Sequence, residues 1–191
     1  ASELFGADYK YDTSKNSSIV NTDNDATLTV SAHDDANRVA PGTKGSLSFT
    51  IAGTAEVKAQ IGITLTATDD IVLEYKKGET PGTYKPVKWT LKKNNANVTG
   101  AVGVDLATIK SKLDATIQYA ADGTAINDTY TLEWEWAFEG TETNANELDT
   151  LLGWTANGTD IPDGYGYTVE SGTKTAINFT LNISVTQVKG N

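Results

Sequence analysis

The sequence has no cysteine and no methionine, a single histidine (His33), and four prolines in 191 residues. Without cysteine, neither a disulfide framework nor a thiolate nucleophile can form, and zinc chemistry loses one of its usual carriers. One imidazole leaves any Ser-His-Asp arrangement dependent on His33 alone. No GxSxG or HExxH surrounds it, and no glycine-rich phosphate loop occurs elsewhere. No apolar run approaches the roughly 20 residues of a membrane-spanning helix. Cationic residues are outnumbered, with 15 Lys+Arg against 25 Asp+Glu and a net charge of -10, a balance that repels phosphate backbones and anionic lipid. These absences together point to a non-enzyme with no cofactor, no nucleic-acid partner and no membrane insertion in its mature form. The chain starts at Ala1 rather than methionine, which is read as the mark of a leader peptide removed from a secreted precursor.

What the sequence has in abundance is threonine, 29 residues, whose β-branched side chain fits a pleated sheet better than a helix. Period-2 alternation follows. Ala26, Leu28, Val30 and Ala32 alternate with Thr27, Thr29 and Ser31; Leu47, Phe49 and Ile51 with serines and threonine; Val57, Ala59, Ile61, Ile63 and Leu65 with polar residues and Gly62. The last two runs are expected to be antiparallel neighbours. Ile71, Leu73 and Tyr75, then Val87, Trp89 and Leu91, predict a hairpin across a turn containing Pro81, Gly82 and Pro86. Tyr130, Leu132, Trp134, Trp136 and Phe138 form the strongest strand pattern, and Ile177 to Val185 the last.

Two segments change period. Leu106, Ile109, Leu113 and Ile117 form one helical stripe behind Asp105 as N-cap. Residues 144–152 predict a two-turn helix ended by Gly153 as C′, with Trp154 in the following loop. About seven strands with two helical inserts in the crossovers give an all-β fold, a jelly-roll-like antiparallel β-sandwich. Residues 1–18 separate as an N-terminal segment and tether, and residues 19–191 form the single domain.

The acidic pairs Asp34/Asp35 and Asp69/Asp70 fit no EF-hand spacing and read as solvated turn residues, so no metal site is assigned. Glu133 and Glu135 fall on the outward face of their strand. Trp89, Trp134 and Trp136 share faces with apolar residues and read as core, leaving Trp154 as the candidate platform for a glycan. Asn16, Asn97, Asn127, Asn157, Asn178 and Asn182 stand in Asn-x-Ser/Thr triplets and are candidate glycosylation positions, although a chain this rich in Asn and Thr also produces such triplets by chance.

The first dozen residues are unusual. Phe5, Ala7, Tyr9 and Tyr11 alternate with Leu4, Gly6, Asp8 and Lys10, and the polar run 12–18 tethers this aromatic segment to the rest. It reads either as the first strand of its own sandwich or as a strand given to another copy. The run 24–32, then Ala40-Pro41-Gly42-Thr43 before Leu47-Ser48-Phe49-Thr50-Ile51, and the strand pattern from Gly53 to Ile61 resemble the TasA/camelysin-like exported proteins. The stretch 129–140, followed by Leu148-Asp149-Thr150-Leu151-Leu152-Gly153, is similar to members from Gram-positive bacteria.

The resemblance implies a jelly-roll subunit of an extracellular biofilm-matrix filament, related to archaeal pilus subunits. It also implies head-to-tail polymerisation by donor-strand exchange, with Leu4, Phe5, Ala7, Tyr9 and Tyr11 as the donor strand. The partners are then copies of the same chain, with matrix polysaccharide or other surface proteins as further candidates. The metalloprotease activity credited to some camelysin relatives is not carried over, because HExxH is missing here. Burial of Phe5, Tyr9 and Tyr11 at about 1.5–3 kcal/mol each, with ladder bonds at about 0.5–1.5 kcal/mol, reaches the order of the cost of association. The alternative is a secreted carbohydrate-binding or adhesin module using Trp154.

Overall fold

Alternating sequence patterns become two five-stranded sheets packed into a sandwich, with a third, three-stranded sheet at one end. The computed structural model describes residues 8–12, 25–30, 38–54, 59–114, 116–119 and 125–187. The strands are β1 (Asp8–Asp12), β2 (Asp25–Val30), β3 (Arg38–Val39), β4 (Lys44–Thr54), β5 (Ala59–Asp69), β6 (Leu73–Lys77) and β7 (Thr80–Tyr84). They continue with β8 (Val87–Lys93), β9 (Ala96–Asn97), β10 (Thr116–Tyr119), β11 (Ala125–Trp136), β12 (Tyr167–Val169) and β13 (Ala176–Gln187). The first sheet runs β1-β4-β11-β8-β9, the second β10-β5-β13-β2-β3, and the third β12-β6-β7. Every ladder is antiparallel except the short β2–β3 pairing.

The strongest pattern in the sequence is the spine of the first sheet. β11 pairs with β4 from Ala125 to Glu135 and with β8 from Tyr130 to Trp136. Its Leu132, Trp134 and Trp136 are buried, together with Trp89 and Leu91 of β8 and Leu47 and Phe49 of β4. The second sheet brings Ile63, Leu65, Ile177 and Phe179 to the same core, and Trp89 meets Phe179 edge-on at 6.3 Å between centroids. Burying side chains such as Phe49, Leu65 and Leu91 stabilises the fold by about 1.5–3 kcal/mol each.

Helix α1 (Leu106–Leu113) presents Leu106, Ile109 and Leu113 to this core. Its N-cap is Asp105, whose Oδ1 accepts from the Thr108 backbone N–H at 2.9 Å. Helix α2 (Ala145–Asn157) buries Ala145, Leu148, Leu151 and Leu152.

Several expectations are corrected. β4 and β5 are not neighbours: the chain crosses between sheets after Thr54, so β4 lies beside β1 and β11, and β5 beside β10 and β13. The hairpin partner of β6 is β7, not the Val87–Leu91 strand. Pro81 and Gly82 sit within β7, which tolerates proline because it is an edge strand. Gly82 faces Tyr75 across the ladder, and a Cβ there would lie 2.3 Å from the tyrosine ring, so the missing side chain is what admits that ring.

The α1 stripe stops at Leu113, and Ile117 belongs to β10, where Thr116 and Ile117 favour extended backbone. Helix α2 does not end at Gly153; it continues through Trp154 to Asn157, and Gly158 at φ 68° supplies the left-handed turn. Buried Leu151 and Leu152 outweigh the roughly 1 kcal/mol that an interior glycine costs. Phe138 lies beyond the end of β11 and is 73% exposed, so it is not a core residue.

Candidate functional site

The aromatic N-terminal segment enters the fold at an edge. β1 pairs antiparallel with β4 of its own chain, Asp8 opposite Ala52 through Asp12 opposite Ser48. Among the described residues β4 is its one sheet neighbour. The register sets Tyr9 opposite Ile51 and Tyr11 opposite Phe49. Phe49 is 2% exposed and stacks on Tyr130 at 5.2 Å, so the position facing Tyr11 belongs to the core. Burial pushes the Tyr130 hydroxyl up to about 12, with the Asp128 carboxylate adding to the rise. Leu4, Phe5 and Ala7, the other donor-strand residues, lie outside the described residues, as do His33 and the pair Asp34/Asp35.

The central strand β11 of the first sheet is locked at Trp136 by a carboxylate that the sequence reading passed over. Asp149, 8% exposed on α2, accepts hydrogen bonds at Oδ1 from the Tyr84 hydroxyl (2.6 Å) and the Trp136 indole N–H (3.0 Å). One side chain thus joins α2, β7 and β11. Burial raises the Asp149 carboxyl above the ordinary carboxylate range despite those two bonds. It raises the Tyr84 hydroxyl as well, and the hydrogen bond to Asp149 pushes in the same direction.

Asp70 does parallel work beside α1. It accepts from the Trp89 indole N–H (3.3 Å), from its neighbour Ile71 N–H (2.9 Å) and from Leu106 N–H at the helix start (3.3 Å). It is therefore a structural acceptor rather than a solvated turn residue, and its pKa is raised by burial. The helical spacing of residues 144–152, with Asp149 beside Leu148, was the available sign of the first carboxylate. Nothing local distinguished Asp70 from Asp69.

Trp154, the expected glycan platform, is a half-buried residue of α2. It meets Tyr165 edge-on at 4.8 Å; Tyr165 leans on Tyr167 at 5.5 Å, and Tyr167 on Tyr75 at 5.9 Å, with the Lys77 ammonium 5.7 Å from the Tyr167 ring centre. The four half-buried rings form the seam between α2 and the third sheet. Of the Asn-x-Ser/Thr positions, Asn97 in β9 and Asn157 at the end of α2 are exposed, and Asn178 in β13 is partly covered. Asn127 and Asn182 lie on β11 and β13, their side chains outside the described residues, and Asn16 lies outside them entirely. Among the described residues no group of three or more His, Cys, Asp or Glu side chains is placed to hold a metal ion, and no helix is long and apolar enough to cross a membrane. The chain matches no protein-family model, and a search of curated proteins finds no match.

Proposed function

We propose that this protein is a structural, non-enzymatic subunit of an extracellular filament, polymerising head-to-tail as the N-terminal strand of one copy completes the sheet of the next. The observation that carries the reading is the position of β1: an edge strand held by one antiparallel ladder of five residue pairs. Each ladder bond contributes about 0.5–1.5 kcal/mol net, and ordering each residue costs about 1–2 kcal/mol, so the pairing itself is nearly balanced. The same five pairs form whether the strand comes from the same chain or from another copy. Exchange therefore costs little, and a head-to-tail contact that does not close extends into a fibre. The motifs that resemble those of TasA/camelysin-like proteins and the polar run 12–18, long enough to act as a tether, support the same reading. Secretion, with matrix or cell-surface contact as the setting, belongs to this proposal.

The chain has no cysteine, so a pair introduced by Lys10→Cys and Thr50→Cys, directly opposite in the β1–β4 register, reports the pairing uniquely. Oxidation after assembly should give a ladder of covalent oligomers on a denaturing gel. Monomer alone would show that the strand stays in its own domain and would overturn the proposal. Deleting residues 1–12 should leave monomers without fibres in electron micrographs, and fibres from that truncated chain would be equally fatal.

A further inference from the structure

Between the two large sheets, on the side covered by α1, a cavity of about 170 Å³ opens. Its apolar walls are Ile63 of β5, Leu91 of β8, Tyr130 of β11, Leu113 at the end of α1, and Val98 just after β9. The first four are core residues, none more than 5% exposed, whereas Val98 is only partly covered. The turn that carries Val98 is fixed to β8: the Val98 N–H donates to the Leu91 carbonyl (2.9 Å), and the Leu91 N–H to the Ala101 carbonyl (2.9 Å). An apolar cavity of about 150 Å³ holds one benzene ring, so this space has room for one aromatic side chain.

Two ammonium groups border it. Lys93, the last residue of β8, sets its Nζ 5.8 Å from the Tyr130 ring centre. Lys112, near the end of α1, reaches toward Gly100, where a Cβ would lie 3.0 Å from its Nζ. Neither lysine has an ion-pair partner among the described residues. An occupant that suits this site carries an aromatic ring with a carboxylate beside it.

The chain displays that combination on its own surface. Phe138 is 73% exposed, more than the other exposed large apolar side chain among the described residues, Val102 at 55%. Its ring leans on Gly42, where a Cβ would lie 3.3 Å from it, and Gly42 is tied to β11 by its N–H bond to the Trp136 carbonyl (2.8 Å). The next residue, Glu139, is exposed and has no ion-pair partner among the described residues. Phe138 does not reach the cavity of its own chain. From Tyr130, in the cavity wall, β11 runs extended to Trp136, roughly 20 Å at about 3.3 Å per residue, and Phe138 lies beyond that end.

We infer that Phe138 and Glu139 of one copy dock into this cavity on a second copy, the ring entering among Leu91, Leu113 and Tyr130 and the carboxylate meeting Lys93 and Lys112. The two surfaces are different patches of one molecule, so the contact is heterologous: each copy that donates a ring keeps its own cavity open for another. No residue of the β1–β4 ladder takes part, so this contact adds to the filament proposed above without resting on strand exchange.

The test mixes two full-length variants, Glu139→Cys and Lys112→Cys, which leave the ring, the apolar walls and Lys93 in place. The parent chain has no cysteine, so a short bis-maleimide joins only the introduced thiols. Covalent dimers should appear on a denaturing gel in the mixture, well above the level in either variant alone. Adding Phe138→Ala to the first variant should raise the concentration at which they form about tenfold, the loss expected when one ring is no longer buried. Adding Lys93→Glu to the second should also weaken them. The inference is overturned if the mixture at about 1 mM gives no more dimer than the single variants. A dimer untouched by Phe138→Ala would assign the cavity another occupant and overturn it equally. The cysteine pair at positions 10 and 50 reads strand exchange separately, so either contact can fail while the other stands.

Discussion

The central strand β11 and the edge strand β1 of the first sheet are held by different physics. At the α2 end, a buried carboxylate ties a helix to two strands, and four aromatic rings close the seam beside it. At the β1 edge, that strand rests on β4 through one backbone ladder. A buried polar lock admits one arrangement, because any other leaves Tyr84 and Trp136 donors stranded away from water. A plain ladder accepts any strand of suitable register. The molecule combines a polar lock inside the core with an edge strand held by a single ladder.

The sharpest way to break the comparison is Asp149→Ala, which strands both donors at about 1–3 kcal/mol each. Unfolding in denaturant should show a loss on the order of 3 kcal/mol, and Asp149→Asn, which keeps an acceptor oxygen, should lose clearly less. Removing residues 1–12 should cost the monomer less than Asp149→Ala does; a larger loss would mean that β1 belongs to the core rather than to an exchangeable edge.

Acidification should act on the locked end. Burial raises Asp149 and Asp70 above their unfolded values, so the folded state binds their protons more tightly and the two groups favour folding more as pH falls. Glu142 adds to the rise at Asp149, and Lys85 opposes it at Asp70. Asp105 works the other way: the Thr108 side-chain and backbone hydrogen bonds hold it below the usual range. Its contribution is lost only as pH drops through that lowered value. As pH falls from neutrality toward about 4, the ordinary aspartate value, the melting temperature should therefore rise, and Asp149→Asn should remove part of the rise. A flat profile in both proteins would contradict the burial of these carboxyls.

The smallest expected effect lies on the outer face. Breaking the exposed Lys92–Glu133 pair with Glu133→Gln should shift stability by no more than about 1 kcal/mol, measured by denaturant midpoint.

Much of this architecture is written in periodicity. Tyr130 to Trp136 alternate because one face of a strand meets the core and the other meets water, and that pattern found β11 and its buried tryptophans. The same rule carried one residue pair too far, to Phe138, because alternation does not mark where pairing stops. Partnership between strands was less legible. β4 and β5 have similar patterns whether they lie side by side or in opposite sheets, since a side chain records only which face is buried. Asp149 escaped notice and Asp70 was read as a solvated turn residue, because an acid in a sequence looks the same whether water or an indole N–H meets it.

By itself, the amino-acid order determined a β-rich chain with no thiol and a single histidine, two helical inserts, and an aromatic N-terminal segment set off by a polar run. Those properties depend on residue type and spacing of a few positions. Only the tertiary structure decided which strands share a sheet, that Asp149 and Asp70 serve buried indoles, that Trp134 is left without such a partner, and that β1 lies at an edge. Each of these depends on groups far apart in the chain, and local propensity carries no information about which distant groups will meet.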